Sequence, residues 1–126
     1  MPFVRIDVPE GRTPQQLAAL GDGVHRAMVE TIDVPPLDRF QVLTAKPPGS
    51  LVADPEYLGV HRSKDVVCIQ ITLNAGRTLE KKKALYAAIA RNLAAEGVRP
   101  EDVLVNLVEV VKENWSFGNG IASYAT

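Results

Sequence analysis

Hydrophobic and polar residues alternate near the start of the chain and run together near its middle. From residue 3 to residue 8 every second position is aliphatic, and two of the positions between them are charged. A period of two is typical of a strand with one buried face. Residues 66–73 are almost continuously apolar, which predicts a strand at the centre of a sheet. Two further strands are predicted over residues 40–44 and 103–111.

Two helices are predicted between these strands. Thr13 and Gln16, with a proline between them, supply the N-cap and the capping box of the first helix. Its apolar residues are spaced three or four apart, as expected for one buried face: Leu17, Leu20, Val24, Met28 and Ile32. The second helix begins after Thr78 and has a similar apolar face: Leu85, Ala88, Ile89 and Leu93. We expect the first helix to end at Val34, before two prolines, and the second to end at Gly97.

The order strand, helix, strand occurs twice. The tripeptide Gly-Arg-Thr at residues 11–13 recurs at residues 76–78, an offset of 65 (76 minus 11), and each copy opens a helix. Asp38 similarly matches Asp102 at an offset of 64 (102 minus 38). A helical crossover joins parallel strands with a right-handed connection. The sequence therefore predicts an α+β fold, in which two tandem β-α-β units form a four-stranded mixed sheet with two helices on one face.

These units are expected to form a single domain, divided as follows: residues 1–126 overall, an internal repeat at residues 1–46 and 65–112, and a C-terminal segment at residues 113–126. The connection between the units is rich in turn residues, although residues 53–58 could form one helical turn. Trp115 and Phe117 lie among glycine and asparagine in the C-terminal segment. They suit a pocket wall or a subunit contact, and the alternative is a C-terminal hairpin that caps the sheet.

The composition limits the classes of function. With 126 residues, 46% hydrophobic residues and a net charge of −1, the chain lacks the charge excess expected for binding nucleic acid or a membrane surface. We find no charged-then-apolar leader and no apolar run near about 18 residues, so we expect a cytoplasmic protein. Cys68 lies alone in an apolar run, and His25 and His61 have no third ligand at metal spacing. No metal site is therefore expected, and no Gly-rich phosphate loop is evident, so no cofactor is expected.

Pro2 follows the initiator methionine and leads directly into the first strand. If Met1 is removed, the Pro2 ring nitrogen changes from a non-basic amide into a free secondary amine. A solvated terminal amine titrates near about pH 8, and burial among apolar groups lowers that pKa toward the range a general base needs. Most Met-Pro starts are simply chain ends, so Pro2 alone does not decide between an enzyme and a protein without catalysis.

These features together resemble the tautomerase superfamily. In that family an N-terminal proline stands on the first strand, Gly-Arg-Thr or Gly-Arg-Ser opens the helices, and an aromatic-Gly-x-Gly segment lies near the C-terminus. The chain looks most like the malonate semialdehyde decarboxylase-like members, which have two units fused in one chain. The similar stretches span nearly the whole sequence: Glu10-Gly11-Arg12-Thr13, His25 with Ala27-Met28-Val29, Val34-Pro35 with Asp38-Arg39 and Gln41, Leu58-Gly59 with Arg62-Ser63, and Trp115-Ser116-Phe117-Gly118 with Gly120.

The resemblance implies three catalytic residues. Pro2 would be the catalytic amine, Asp38 would position or activate water, and Arg77 would hold a substrate carboxylate. The implied substrate is a small carboxylate-bearing molecule, such as a 2-oxo acid or its enol.

Three further residues are expected to bind substrate. Arg12, like Arg77, stands just before a helix start, where a guanidinium adds to the anion site made by free backbone N–H groups. Trp115 and Phe117 would supply the apolar wall that lowers the pKa of the amine.

One departure from the decarboxylase pattern separates the alternatives. That pattern has two arginines separated by one residue after the third strand, whereas residues 74–77 offer only Arg77. A single guanidinium can bind a carboxylate through two hydrogen bonds, but the second charge is missing. We therefore expect a tautomerase, with malonate semialdehyde decarboxylation or a related hydratase or lyase reaction as the alternative. If Met1 is retained, the Pro2 nitrogen stays an amide, and a non-catalytic trimeric binding protein is expected instead.

Self-association is expected because two helices cover only one face of the sheet. The apolar residues of segments 66–73 and 103–111 are expected to exceed what two helices can cover, and exposing each would cost about 1.5–3 kcal/mol. In the resembling family, three two-unit chains close into a ring with the sheets inside. We therefore expect a homotrimer whose active sites depend on assembly, without nucleic acid or a membrane as partner.

Overall fold

The computed structural model describes residues 2–124. Two helices, α1 (Pro14–Thr31) and α2 (Leu79–Ala94), pack against each other on one face of a four-stranded sheet. The strands of that sheet are β1 (Phe3–Pro9), β2 (Gln41–Lys46), β5 (Val67–Asn74) and β6 (Val103–Val110), and a separate hairpin contains β3 (Glu56–Tyr57) and β4 (Val60–His61). Within residues 2–124, neither helix has the length and apolar character needed to cross a membrane.

The two central strands of the sheet run antiparallel. The order is β2-β1-β5-β6, with β1 parallel to β2 and β5 parallel to β6. In the central pair, Phe3 lies opposite Thr72 and Asp7 lies opposite Cys68. The start of β1 therefore lies beside the end of β5, and the end of β1 lies beside the start of β5. The predicted α+β fold, with a mixed four-stranded sheet and two helices, is confirmed.

The two β-α-β units have the same internal register. Val4 pairs with Gln41 in the first unit, and Ile69 pairs with Val105 in the second. These pairs coincide when the first strand is shifted by 65 residues (69 minus 4) and the second strand by 64 (105 minus 41). The glycine that precedes each Arg-Thr pair also has the same conformation, with φ of 128° and 125°. Glycine adopts this region without the steric cost that a side chain brings.

Close contact between the helices explains a glycine inside α1. A Cβ atom on Gly23 would lie 3.1 Å from Leu93 Cδ2, and the Gly23 carbonyl accepts a 2.9 Å hydrogen bond from Asn92 Nδ2. Glycine weakens a helix by about 1 kcal/mol relative to alanine. Here packing offsets that cost, because the missing side chain lets α2 approach closely. α1 ends at Thr31, earlier than the predicted end at Val34.

Two expectations about the connecting segments are wrong. Residues 53–58 form no helical turn, because β3 and β4 are joined through Leu58 and Gly59, both with positive φ, as in a tight hairpin turn. The C-terminal hairpin does not form within residues 112–124, where the structure has a 3₁₀ turn at Lys112–Asn114 and then irregular backbone.

The aliphatic residues of β5 all pack in the core. Those at alternate positions are buried on the helix side: Val67, Ile69, Ile71 and Leu73. On the open face, β5 carries Cys68, Gln70 and Thr72 instead. The expectation of surplus apolar surface is therefore wrong for β5, because its exposed alternate positions are mostly polar. In β6, Leu104 and Val108 are 37% and 38% exposed.

Candidate active site

The antiparallel pairing of β1 with β5 gathers several segments at one edge of the sheet. Pro2 is buried immediately before β1. That pairing places Pro2 beside the end of β5, where Asn74 leads into the turn before α2. The Val4 N–H donates a 3.0 Å hydrogen bond to the Phe40 carbonyl, so the segment before β2 reaches the same edge. We name this edge, defined by Pro2, Phe40 and Asn74, the proline end.

Arg77 is anchored at the proline end by two backbone carbonyls. Its Nη1 donates to the backbone carbonyl oxygen of Asn74 at 3.1 Å, and its Nη2 donates to the backbone carbonyl oxygen of Ile32 at 3.2 Å. Ile32 is the C-cap of α1, where helix carbonyls carry partial negative charge. A guanidinium has five N–H donors. Arg77 therefore retains donors for a ligand, while its orientation is fixed from both β5 and α1.

Asp38 is a buried carboxyl in the same electrostatic environment, with 7% of its surface exposed. Loss of solvation raises the pKa of Asp38, while the positive charges of the chain's amino terminus, His25 and Arg77 act in the opposite direction. The net shift is upward, so desolvation outweighs the cations. The His25 Nε2 atom lies 2.8 Å from the Pro36 carbonyl oxygen, a contact that suits the structural role expected for His25.

Trp115 and Phe117 form an aromatic wall at the proline end. Their rings stack with centroids 5.3 Å apart and planes 9° from parallel. Phe117 also contacts Phe40 and Tyr124, in each case with ring centroids 5.7 Å apart. The Trp115 indole N–H donates a 2.7 Å hydrogen bond to Asn74 Oδ1. The C-terminal segment is thereby tied to the strand that leads to Arg77.

Arg12 lies at the opposite end of the sheet. Its Nη1 and Nη2 donate to the two carboxylate oxygens of Asp65 at 3.0 Å and 2.7 Å. It follows the end of β1, which the antiparallel register places beside the start of β5. Within one chain, Arg12 is therefore separate from the other expected site residues, which the structure places around the proline end: Pro2, Asp38, Arg77, Trp115 and Phe117. The expected role of Arg12 in substrate binding stays a prediction.

A large cavity also lies away from the proline end. Its volume is about 790 Å³, and it is lined by the end of β1, the segment after β2 and the residues just before β5. The candidate active site is instead defined by the convergence of Pro2, Asp38 and Arg77. Within residues 2–124, no group of three His, Cys, Asp or Glu side chains is placed to hold a metal ion.

Sequence reasoning missed Asn74 and Phe40 as parts of this site. The side chain of Asn74 bonds a residue 41 positions away, and local patterns carry no information about such a contact. The nearest signal was the place of Asn74 after the third predicted strand, where the decarboxylase pattern has arginine. Phe40 was predicted only as the first residue of a strand.

Comparison with known proteins identifies the class of protein. Two family models, each described as "Tautomerase enzyme", match residues 38–118 and residues 2–61. This chain belongs to the tautomerase superfamily.

Individual proteins within this superfamily are similar to the chain over nearly its whole length. A protein of Bacillus subtilis (strain 168) described as "Probable tautomerase YusQ" is 44% identical over 123 residues, which cover 97% of each chain. The structure of FG41 malonate semialdehyde decarboxylase inhibited by 3-bromopropiolate is 43% identical, with a TM-score of 0.91 over 97% of this chain and 93% of that one. A fused 4-OT symmetric trimer is 25% identical, with a TM-score of 0.80 over 98% of this chain and 97% of that one. The predicted resemblance to decarboxylase-like members is confirmed.

We predict that Asn74→Ala releases Trp115 without unfolding the protein. Trp115 is the one tryptophan in the sequence, so its emission reports on the aromatic wall alone. Without the Asn74 acceptor, we expect a red-shifted emission maximum and stronger quenching by acrylamide, with unchanged far-UV circular dichroism. Asn106→Ala is the matched control, because it removes a 3.1 Å side-chain hydrogen bond from Gln70 elsewhere on the sheet. Identical emission from Asn74→Ala and the parent protein would contradict the anchoring role.

The raised pKa of Asp38 predicts how stability changes with pH. A folded-state pKa above the ordinary aspartate value means that the folded protein holds this proton more tightly than the unfolded chain. The contribution of Asp38 to stability therefore falls as the pH rises from the ordinary aspartate pKa to the higher pKa of the folded state. We expect Asp38→Asn, which removes the buried charge, to raise Tm at neutral pH. This gain should disappear as the pH falls toward about 4, the ordinary aspartate pKa.

The second unit supplies a matched control for this prediction. Asp102 is also buried, and it accepts hydrogen bonds of 2.7 Å and 2.6 Å from the backbone N–H and the hydroxyl of Ser63. We expect Asp102→Asn to lower Tm, because an amide cannot accept both bonds through equivalent oxygens. A lower Tm for Asp38→Asn at neutral pH would show that the ionised Asp38 carboxylate stabilises the fold.

Proposed function

We propose that this protein is a cofactor-independent tautomerase in which Pro2, freed by removal of Met1, is the general base. The observation that carries the proposal is the convergence of the buried Pro2, the anchored Arg77 and an aromatic wall in a member of this superfamily. Burial and apolar neighbours lower the pKa of a terminal amine, which favours the neutral, proton-accepting form near about pH 7. Met1 itself lies outside the described residues.

In this mechanism, one proton moves and no group leaves the substrate. The Arg77 guanidinium holds the carboxylate of a small 2-oxo acid, such as an arylpyruvate, through charge-assisted hydrogen bonds. The neutral Pro2 amine takes a proton from the carbon next to the ketone and returns it to the ketone oxygen, which gives the enol; the reverse path gives the ketone. Asp38, a carboxyl whose pKa is raised by burial, positions a water molecule. Arg12 takes part only if a neighbouring chain brings it to this site.

Decarboxylation of malonate semialdehyde is the second candidate. It is favoured by the 43% identity to a malonate semialdehyde decarboxylase. In this case Arg77 holds the substrate carboxylate and Asp38 positions or activates a water molecule. The single arginine in residues 74–77 favours proton transfer over loss of carbon dioxide. A cytoplasmic location stays a prediction for either activity.

We predict that Pro2→Ala lowers kcat/KM for the enol-keto interconversion of an arylpyruvate by about 10²-fold or more, because general base catalysis is worth that much. Arg77→Gln should raise KM by about tenfold through loss of a charge-assisted hydrogen bond. The measurement is the change in enol absorbance with time, with circular dichroism confirming the fold of each variant. Arg91→Gln is the matched control, because Arg91 pairs with Glu30 on the exposed surface at 2.9 Å.

Three outcomes would separate the alternatives. Unchanged interconversion by Pro2→Ala would reject Pro2 as the base. Carbon dioxide release from malonate semialdehyde that is lost in Asp38→Asn, without enol-keto activity in the parent, would establish the second candidate. An intact mass that retains Met1 in protein from the native host would leave Pro2 as an amide and favour a non-catalytic binding protein.

We also propose that the protein works as a homotrimer. A fused 4-OT relative forms a symmetric trimer, which supports a homo-oligomer here. Val42, Leu104 and Val108 are 38%, 37% and 38% exposed, and the strand registers place all three on the open face of the sheet. Burying such side chains between chains is favourable.

We predict a mass of three chains by light scattering. Leu104→Lys places a charge on the open sheet face and should yield monomers with reduced activity per chain. Ala18→Lys is the matched control, because residue 18 is exposed on α1, on the other side of the molecule. A folded and fully active monomer at micromolar concentration would overturn both the trimer and its role in the active site.

A further inference from the structure

The large cavity at the end of the sheet opposite Pro2 has no part in the proposed reaction. Its volume of about 790 Å³ lies in the range of roughly 300–1,000 Å³ that is typical of small-molecule sites. Its wall is largely apolar and includes Pro9, Pro47, Pro48, Leu51, Val52 and Val66.

The internal repeat makes this cavity the counterpart of the proline end. The shift of 65 that superposes the first strands places Val67 where Pro2 stands (67 minus 2). The shift of 64 that superposes the second strands places Leu51, in the cavity wall, where Trp115 stands (115 minus 51). The cavity and the proline end therefore each lie where one parallel strand pair ends and the other begins. The Val67 nitrogen is a peptide amide and cannot act as a base. By the repeat, this cavity is equivalent to the candidate active site, but it has no basic nitrogen at the position of Pro2.

The charges of the cavity favour an anion. Its lining includes three basic residues and one acidic residue: Lys46, Arg62, Lys64 and Glu10. Lys46 Nζ lies 3.7 Å from an oxygen of Asp7 and is partly neutralised. Arg62 Nε is buried and has no hydrogen-bond acceptor among the described residues. Three basic residues against one acidic residue leave an excess of positive charge in the lining, so a ligand with an anionic oxygen suits this site.

Buried contacts hold the cationic segment in place. The Asp102 carboxylate accepts 2.7 Å and 2.6 Å hydrogen bonds from the N–H and hydroxyl of Ser63, which lies between Arg62 and Lys64. The Arg62 backbone N–H donates to the Pro55 carbonyl at 2.7 Å. Asp102 is the counterpart of Asp38, and here it orders a loop. The cations are therefore presented by a fixed backbone.

We propose that this cavity is a second, non-catalytic binding site for a small organic anion with an apolar body, such as an aromatic carboxylate. Arg62 receives the carboxylate, and the proline and Leu51 surfaces pack against the apolar body. This binding does not require turnover at Pro2, so it can be tested independently of the proposed reaction.

The test is calorimetric titration of the assembled full-length protein with naphthalene-2-carboxylate, and with naphthalene-2-carboxamide as the neutral ligand of matched shape. We expect Arg62→Gln to weaken carboxylate binding by roughly tenfold or more, through loss of a charge-assisted hydrogen bond. Leu51→Glu should abolish the same binding by placing a carboxylate in the wall. Arg99→Gln is the control, because Arg99 pairs with Glu101 on the surface at 3.0 Å.

Arg77→Gln distinguishes the two ends of the sheet. Carboxylate binding that survives Arg77→Gln but is weakened by Arg62→Gln or Leu51→Glu supports the proposal, as does loss of one of two binding equivalents per chain. Binding that is lost in Arg77→Gln and unchanged in Arg62→Gln belongs to the proline end and overturns it. Equal affinity for the carboxamide, or no binding at millimolar probe, overturns it as well. If Arg62→Gln does not fold, as judged by circular dichroism, Leu51→Glu decides.

Discussion

Antiparallel pairing between β1 and β5 determines which segments of this chain meet at the candidate active site. It places the start of one central strand beside the end of the other, so Pro2 and Phe3 lie near the turn before α2 and the aromatic segment after β6. Parallel pairing at this seam would bring Pro2 beside Val67 and separate it from Arg77. The site therefore depends first on a backbone register, and side chains complete it.

The two ends of the sheet use the same residue types in opposite ways. Arg77 is bonded to neutral carbonyls and keeps its charge available, whereas Arg12 is neutralised by the carboxylate of Asp65. Asp102 accepts two hydrogen bonds from Ser63, and burial raises the pKa of Asp38. Residues that match in the internal repeat can therefore differ in their contacts and in the environment of their charges. A motif such as Gly-Arg-Thr therefore cannot by itself say which end is which.

The sequence was most informative where the signal is local. Alternation predicted β1, and the cap at Thr13 is present, with its side chain accepting from the Gln16 N–H. The hairpin of β3 and β4 was missed because strands of two residues carry no period. The open face of β5 was missed because Cys68 extends the apolar run and leaves only Gln70 and Thr72 as polar exceptions to it. The bonds from Trp115 to Asn74 and from Arg12 to Asp65 span 41 and 53 residues, so only the folded chain shows them.

The position of Val67 inside the chain limits the number of free amines relative to the number of sheet ends. A polypeptide has one free α-amino group, so joining two units by a peptide bond leaves one amine for two ends. Proline substituted at Val67 would still have an amide nitrogen, and no point mutation at this residue can make it a base. A circular permutant that begins at residue 67 would exchange the two ends, because the amine would move with the chain start. In this architecture the covalent connectivity, and not the local sequence, decides which end carries the free amine.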